Sequence, residues 1–334
     1  YEKGSRPGGS MRLSSGVVWR FRDLDTFRAE CPAGEPALQS LVVERLDADL
    51  AWLEGLGAPV RERGTANPLS DGVRFDVDGL TEALATKVPE LRLGEPLRSL
   101  PRGVPVVLAT GGFQADRELV RRHVTPEADR LWLRSNPWSS GDGLLLALEA
   151  GAATRGPLSE FYGRNLPAPP ATVDETGFVG LSQLYARDAR VQALDGGEYP
   201  AGEVAWHEAD VAQWLAHRRG ARAWYVVSRK RLGERTASGR TVGEQVEAAR
   251  AAGARVEERG SAVAVLVAPG ITSTLGGIAI DRDARVLSGS GRPIPGLYAA
   301  GTDVGGISSG GYSSGLAAAL VLGRVAAFNA LRGS

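Results

Sequence analysis

The chain has 334 residues, 43% hydrophobic and 23% charged, too many for one small domain and too apolar for disorder, so one large or two interlocked globular domains are expected. Its 39 basic and 39 acidic residues cancel, which removes the electrostatic footprint of a nucleic-acid or anionic-membrane binder. Cys31, the only cysteine, excludes an internal disulfide framework and a cysteine-cluster metal or iron–sulfur site, and fits a reducing, cytoplasmic compartment. No stretch approaches the roughly 20 apolar residues of a membrane span, and no signal segment opens the chain. The first residue is Tyr1 and the only methionine is Met11, so residue 1 is not expected to be the natural start.

Residues 1–16 are rich in Gly and Ser without hydrophobic periodicity and read as a strand end running into a loop. Leu38, Leu41, Val42, Leu46, Leu50, Leu53 and Leu56 then recur at helical spacing and stop at Gly55 and Gly57. A shorter helix follows at 78–87. Residues 104–109 form an apolar run halted by Gly111-Gly112, the pattern of a buried parallel strand, with a helix from Asp116 to His123 after it. Ser140-Gly141-Asp142-Gly143 feeds an apolar helix that ends at Gly151. From 157 to 267 prolines, short alternating runs and a helix at 241–254 suggest a separate α+β insertion. Glycine density returns from 268, with a strand at 297–301, a Gly/Ser loop and a final apolar helix at 315–331.

Four glycine-rich loops, at 8–16, 109–113, 140–143 and 299–306, each adjoin a strand or helix. A single such loop is usually only a turn. Four in one chain, in strand–loop–helix order, point to a large phosphate-bearing cofactor lying against backbone.

The stretches VVLATGGFQADRELVRR, SSGDGLLLALEAGA, TSTLGGIAIDRDARVL and RPIPGLYAAGTDVGG with GYSSGLAAALVLGRVAA resemble, in that order, the flavoprotein family of fumarate reductases, succinate dehydrogenases, 3-ketosteroid dehydrogenases and tricarballylate dehydrogenase. The resemblance implies an α/β fold: a Rossmann-type, glutathione-reductase-like FAD-binding domain at 1–156 and 268–334, with an inserted α+β capping domain at 157–267. It implies FAD, held without a covalent bond because no His stands in the 8–16 loop. Glu2 and Lys3 look like the acidic end of the second strand, where Glu would bond the adenosine ribose. Gly8, Gly9, Ser10, Ser14, Ser15 and Gly16 match the loop that admits the pyrophosphate. Thr110, Gly111 and Asp142 match cofactor-contacting positions. Gly301, Thr302 and Asp303 stand where the family often has a Gly-Glu reaching the ribityl chain, with Thr302 aligned to that Glu. Ser314, Gly315, Leu316 and Ala317 open a helix whose amides would face the flavin. If Glu2-Lys3 ends the second strand, the G-x-G-x-x-G turn and its flanking strand and helix, on the order of 30 residues, are expected ahead of it. A chain without them is expected to hold FAD poorly.

Chemically, the resemblance implies hydride transfer between a substrate carbon and flavin N5, at a CH–CH bond beside a carbonyl, in a steroid-like ketone or an unsaturated or carboxylic acid; the electron acceptor stays open. True fumarate chemistry is not expected: Thr272, Glu198 and Tyr312 stand where fumarate reductases carry a His and two Arg. Tyr312 is the candidate catalytic residue, a phenol able to polarise a carbonyl or carry a proton. The alternative is a truncated or degenerate flavoprotein without turnover. Ser308 and Ser313 both sit in G-x-S-x-G, but His123, His207 and His217 all precede them, the wrong chain order for the serine hydrolases of that motif. The histidines lack metal-ligand spacing, so no metal is expected.

Overall fold

The apolar run at 104–109 forms the strand Val106–Leu108, which pairs in parallel with Pro293–Ala299 so that Val107 stands opposite Tyr298. Arg285–Leu287 closes the other edge of Pro293–Ala299, giving a three-stranded sheet. The final helix, Gly315–Arg332, lays Ala317, Val321, Leu322 and Val325 against this sheet and against the helix Pro36–Gly55. The leucine periodicity of that second helix is the reason: Leu38, Leu41, Leu46, Leu50 and Leu53 are buried along one stripe. By length and composition Gly315–Arg332 is long and apolar enough to cross a membrane, which departs from the expectation that no stretch approaches a span. Its buried stripe of small and branched residues is also how a core helix packs.

The computed structural model describes residues 1–332 apart from 66 and 237, and the chain divides into two compact units. The first takes Tyr1–Asp116, Asn136–Glu160 and everything from Ser273 onward; the second takes Arg117–Ser135 and Phe161–Thr272. The first unit also holds an antiparallel sheet that periodicity did not announce, in the order Val17–Phe21, Ser70–Phe75, Val60–Arg63. These strands are short, and the last is exposed along its whole length, so alternation had nothing to mark. Trp19, Phe21 and Phe27 form an aromatic cluster on it, with successive ring centroids 5.2 Å apart.

The second unit is built on Ala262–Thr274, a strand apolar on both faces and therefore central. Antiparallel neighbours continue the sheet in the order Val256–Arg259, Ala262–Thr274, Ala223–Ser228, Ala189–Ala193, while Trp132–Leu133 and Phe161–Pro167 also pair with the long strand. Two glycines permit the last pairing, since a Cβ on Gly163 would lie 2.2 Å from the Gly270 carbonyl oxygen. The core beneath joins Tyr185, Val191, Leu215, Tyr225, Val246 and Val265. Residues 117–135, placed by composition with the first unit, pack here instead: Arg134 N–H donates to Ile271 at 2.8 Å and the Thr125 hydroxyl to Ala216 at 2.6 Å.

Candidate functional site

Both parallel strands of the first unit end in glycine turns at one edge. Val106–Leu108 leads to Thr110-Gly111-Gly112 and Pro293–Ala299 to Gly301-Thr302-Asp303. The carboxyl ends of parallel strands are where α/β folds hold ligands. Asp303, 1% exposed, ties the turns together. It accepts from the backbone N–H and hydroxyl of Thr110 and from Gly112 N–H at 2.9 Å. Burial pushes its carboxyl up, against the downward pull of those donors. Thr110 Oγ1 also accepts from Gly143 N–H at 2.9 Å, which brings the 140–143 loop to the same corner. At Gly112, φ is +79°, and a Cβ would stand 2.6 Å from Thr274 Oγ1 and 2.9 Å from the Thr302 methyl, so only glycine fits. The Thr274 hydroxyl is buried there without a hydrogen-bond partner among the described residues, as is that of Ser309.

The opening segment reaches the same region from the other side. Lys3 Nζ donates to Ser140 Oγ at 2.5 Å and to Asp142 Oδ2 at 2.9 Å, joining two residues singled out separately in the sequence. Glu2 makes a single bridge to Leu93 rather than ending a regular strand, and its carboxylate accepts from Gly4 N–H at 2.6 Å. Gly8 leads into a short 3-10 turn, Gly9–Leu13. Within that turn Ser10 Oγ accepts from Asn136 Nδ2 at 2.6 Å. Ser14 closes the loop onto itself through Met11 and Gly16, and Ser15 is exposed. Asn136 and Thr274 were not named as site residues in advance, and Ser140 only as part of the 140–143 loop. The polar run Ser135-Asn136-Pro137-Trp138-Ser139-Ser140 was the available signal for Asn136, and Thr274 lies within the TSTLGG stretch quoted among the motifs.

The third component is the loop before the last helix. Ser308 and Ser313 bond to each other at 2.5 Å. The first unit contains no histidine, so neither serine has an imidazole within its own unit. Ser314 Oγ accepts from Ala317 N–H at 3.3 Å, capping the helix, and from Trp19 N–H at 3.4 Å. Ala317 is buried, whereas Gly315 is exposed and Leu316 half-buried, and their amides have no partner among the described residues. Tyr312 is half-buried, its ring edge-on to Trp19 at 5.7 Å, and its backbone bonds Cys31. Burial pushes that cysteine thiol up to about 12, which leaves it unreactive. No cluster able to hold a metal ion exists among the described residues.

Residues 104–316 match the FAD binding domain family. A probable fumarate reductase, Ifc3, of Shewanella frigidimarina (strain NCIMB 400) is 29% identical over 281 residues, which cover 68% of this chain and 44% of that protein. The NADH:fumarate oxidoreductase of Klebsiella pneumoniae (strain 342) is 41% identical over 71 residues, 21% of this chain and 8% of that one. The chain thus spans less than half the length of the curated relatives it matches. Among solved structures, the open conformation of a flavocytochrome c3 fumarate reductase superposes with a TM-score of 0.72 at 20% identity, covering 99% of this chain and 73% of that one. The 3-ketosteroid-delta4-(5alpha)-dehydrogenase of Rhodococcus jostii RHA1 gives 0.69 at 17% identity, with 98% and 90% covered. The fold is the α/β FAD-binding fold with a cap that the motifs implied.

The residues present suit FAD. Two unpartnered amides at the start of an 18-residue helix are donors for an acceptor-rich ring edge, strengthened by the helix dipole. The orphaned hydroxyls of Thr274 and Ser309 need a partner that the described protein does not supply. Positive-φ glycines at 111, 112 and 301 leave backbone bare for close approach. Gly315, Leu316 and Thr274 would hold the cofactor's ring side, and Thr110 and Gly111, bonded through Thr110 Oγ1 to the 140–143 loop, its adenine side. Lys3 and Asp142 stand on the segments that the motifs assign to its nucleotide side.

Proposed function

From the premise that the chain belongs to the FAD binding domain family, with FAD as its cofactor, we propose that it is an oxidoreductase acting on a CH–CH bond next to a carbonyl. FAD, when bound, supplies hydride exchange at its N5. The chain's own contribution is to expose donor amides at Gly315 and Leu316 and to present the Tyr312 phenol beside them in sequence. Trp19 fixes that phenol from one side and the Cys31 contact fixes its backbone, so Tyr312 is set to hydrogen-bond a substrate carbonyl or pass it a proton. We assign the substrate to the steroid-like ketones rather than fumarate. The cationic residues that would clamp a dicarboxylate are replaced by Thr272, Glu198 and Tyr312, and a ketosteroid dehydrogenase is among the structures that share the fold.

The observation that carries this reading is the capped but open helix start, two free amides behind a loop that holds one phenol. The purified chain, loaded with FAD, should reduce a dye acceptor at the expense of a saturated 3-ketosteroid and should not oxidise reduced viologen with fumarate. Tyr312→Phe should bind FAD as the parent does and lower kcat on the order of 10²- to 10⁴-fold, the range of a lost proton-transfer group. Failure to bind flavin, or fumarate turnover that Tyr312→Phe leaves intact, would sink the proposal.

A further inference from the structure

A cavity of about 390 Å³ lies within the second unit, lined by Leu184, Arg187, Asp188, Trp206, Glu208, Arg231, Arg235 and Thr236. None of these residues belongs to the FAD motifs, and none lies in the first unit. Its volume is within the range of small-molecule sites. Three guanidiniums face two carboxylates around it, and one carboxylate, Asp188, is already ion-paired with Arg231. Arg187 makes no ion pair among the described residues, and Arg235 bonds only the Gly239 carbonyl, at 2.8 Å. The wall therefore carries two guanidiniums with no carboxylate partner among the described residues, the group that best matches a carboxylate in a plane.

Glu208 is the buried member of the lining. It is 6% exposed, holds Ala186 N–H at 3.1 Å, and sits at φ +49°, the left-handed region that a glutamate rarely adopts. Strain of that kind persists only where surrounding structure demands it, and it is concentrated at binding sites. Trp206 and Leu184 complete the lining with flat and apolar surface.

We infer that this cavity is a binding site for a small organic carboxylate carrying a flat ring, its charge held by Arg187 and Arg235 and its ring by Trp206 and Leu184. The test titrates benzoate, and benzamide as the uncharged ring of the same shape, into the full chain while following the Trp206 indole N–H resonance, assigned by its loss in Trp206→Phe. Benzoate should shift that resonance saturably and benzamide should not. Arg187→Gln combined with Arg235→Gln, both at exposed positions, should weaken benzoate by at least tenfold, on the order expected for lost charge-assisted bonds, with Tm unchanged. A Trp206 resonance indifferent to benzoate, an equal response to benzamide, or a double variant that binds benzoate as well as the parent would overturn the inference.

Discussion

His207 and Glu208 are adjacent buried groups of the second unit, and the two act on stability in opposite directions. Burial pushes Glu208 up from 4.5 to about 7, only partly offset by the Ala186 amide and Arg164. A carboxyl raised in the fold stabilises most when protonated, so its contribution is complete below about pH 4.5 and is lost as pH rises through about 7. His207 is lowered from 6.5 by burial and by Arg164, against Asp210, and its Nδ1 accepts from Ala209 N–H at 3.1 Å, which suits the neutral ring. A lowered histidine costs stability as pH falls below 6.5, where the unfolded chain would take up a proton that the folded one refuses. The urea midpoint should therefore rise as pH falls from about 8 to 6.5 and stop rising there, because below that point the two terms oppose each other. Glu208→Gln should erase the upper limb and leave the variant more stable than the parent by about 3 kcal/mol near pH 8, the worth of a shift of that size. A parent midpoint that is level between pH 6.5 and 8 would contradict this account.

Among the elements, the last helix joins fold and site. Its interior packs on the sheet, its start offers free amides, and Gly315 is a position where a Cβ would touch nothing. Gly315→Asp therefore separates the two roles. An aspartate in the first turn favours the helix dipole and should raise the Tm of the FAD-free chain slightly, while its charge should compete for the amides and repel the flavin's acceptor edge. The expected outcome is a slightly more stable apoprotein with FAD affinity reduced at least tenfold; unchanged affinity would remove the helix start from the cofactor site. Elements of this kind were legible because their signals are local. Leucines at 38, 41, 46, 50 and 53 fix one helix, and an apolar run ended by glycine fixes the 106–108 strand. What escaped was made by distance. The sheet of Val17–Phe21, Ser70–Phe75 and Val60–Arg63 depends on pairings between strands too short to show a period. In the same way Asp303, expected among the cofactor contacts, is also the knot between two turns, because its donors at 110 and 112 are nearly 200 positions away in sequence. Residues 117–135 look like any helix and loop, and it is long-range bonds such as those to Ala216 and Ile271, with the pairing of Trp132–Leu133 on the long strand, that assign them to the second unit.

Across the whole molecule, each unit contains a core of its own. The cluster around Tyr185, Tyr225 and Val265 draws only on residues of the second unit, while the FAD residues named above, from Lys3 to Ala317, belong to the first. A ligand stabilises what it binds by mass action, about 2.7 kcal/mol at a concentration 100 times its Kd, and that energy protects only amides whose opening breaks the site. Hydrogen exchange with and without saturating FAD should accordingly slow the amides of 110–112, 301–303 and 315–318. Exchange at the core strands Ala223–Ser228 and Ala189–Ala193 should stay within experimental scatter. The long strand Ala262–Thr274 decides the matter, because it crosses from one unit into the other after Thr272. If protection fades along it from 274 toward 262, the units open separately and the cofactor acts on one of them. Equal slowing along the entire strand and in both cores would mean a single cooperative block, and the division into two folding units would have to be abandoned.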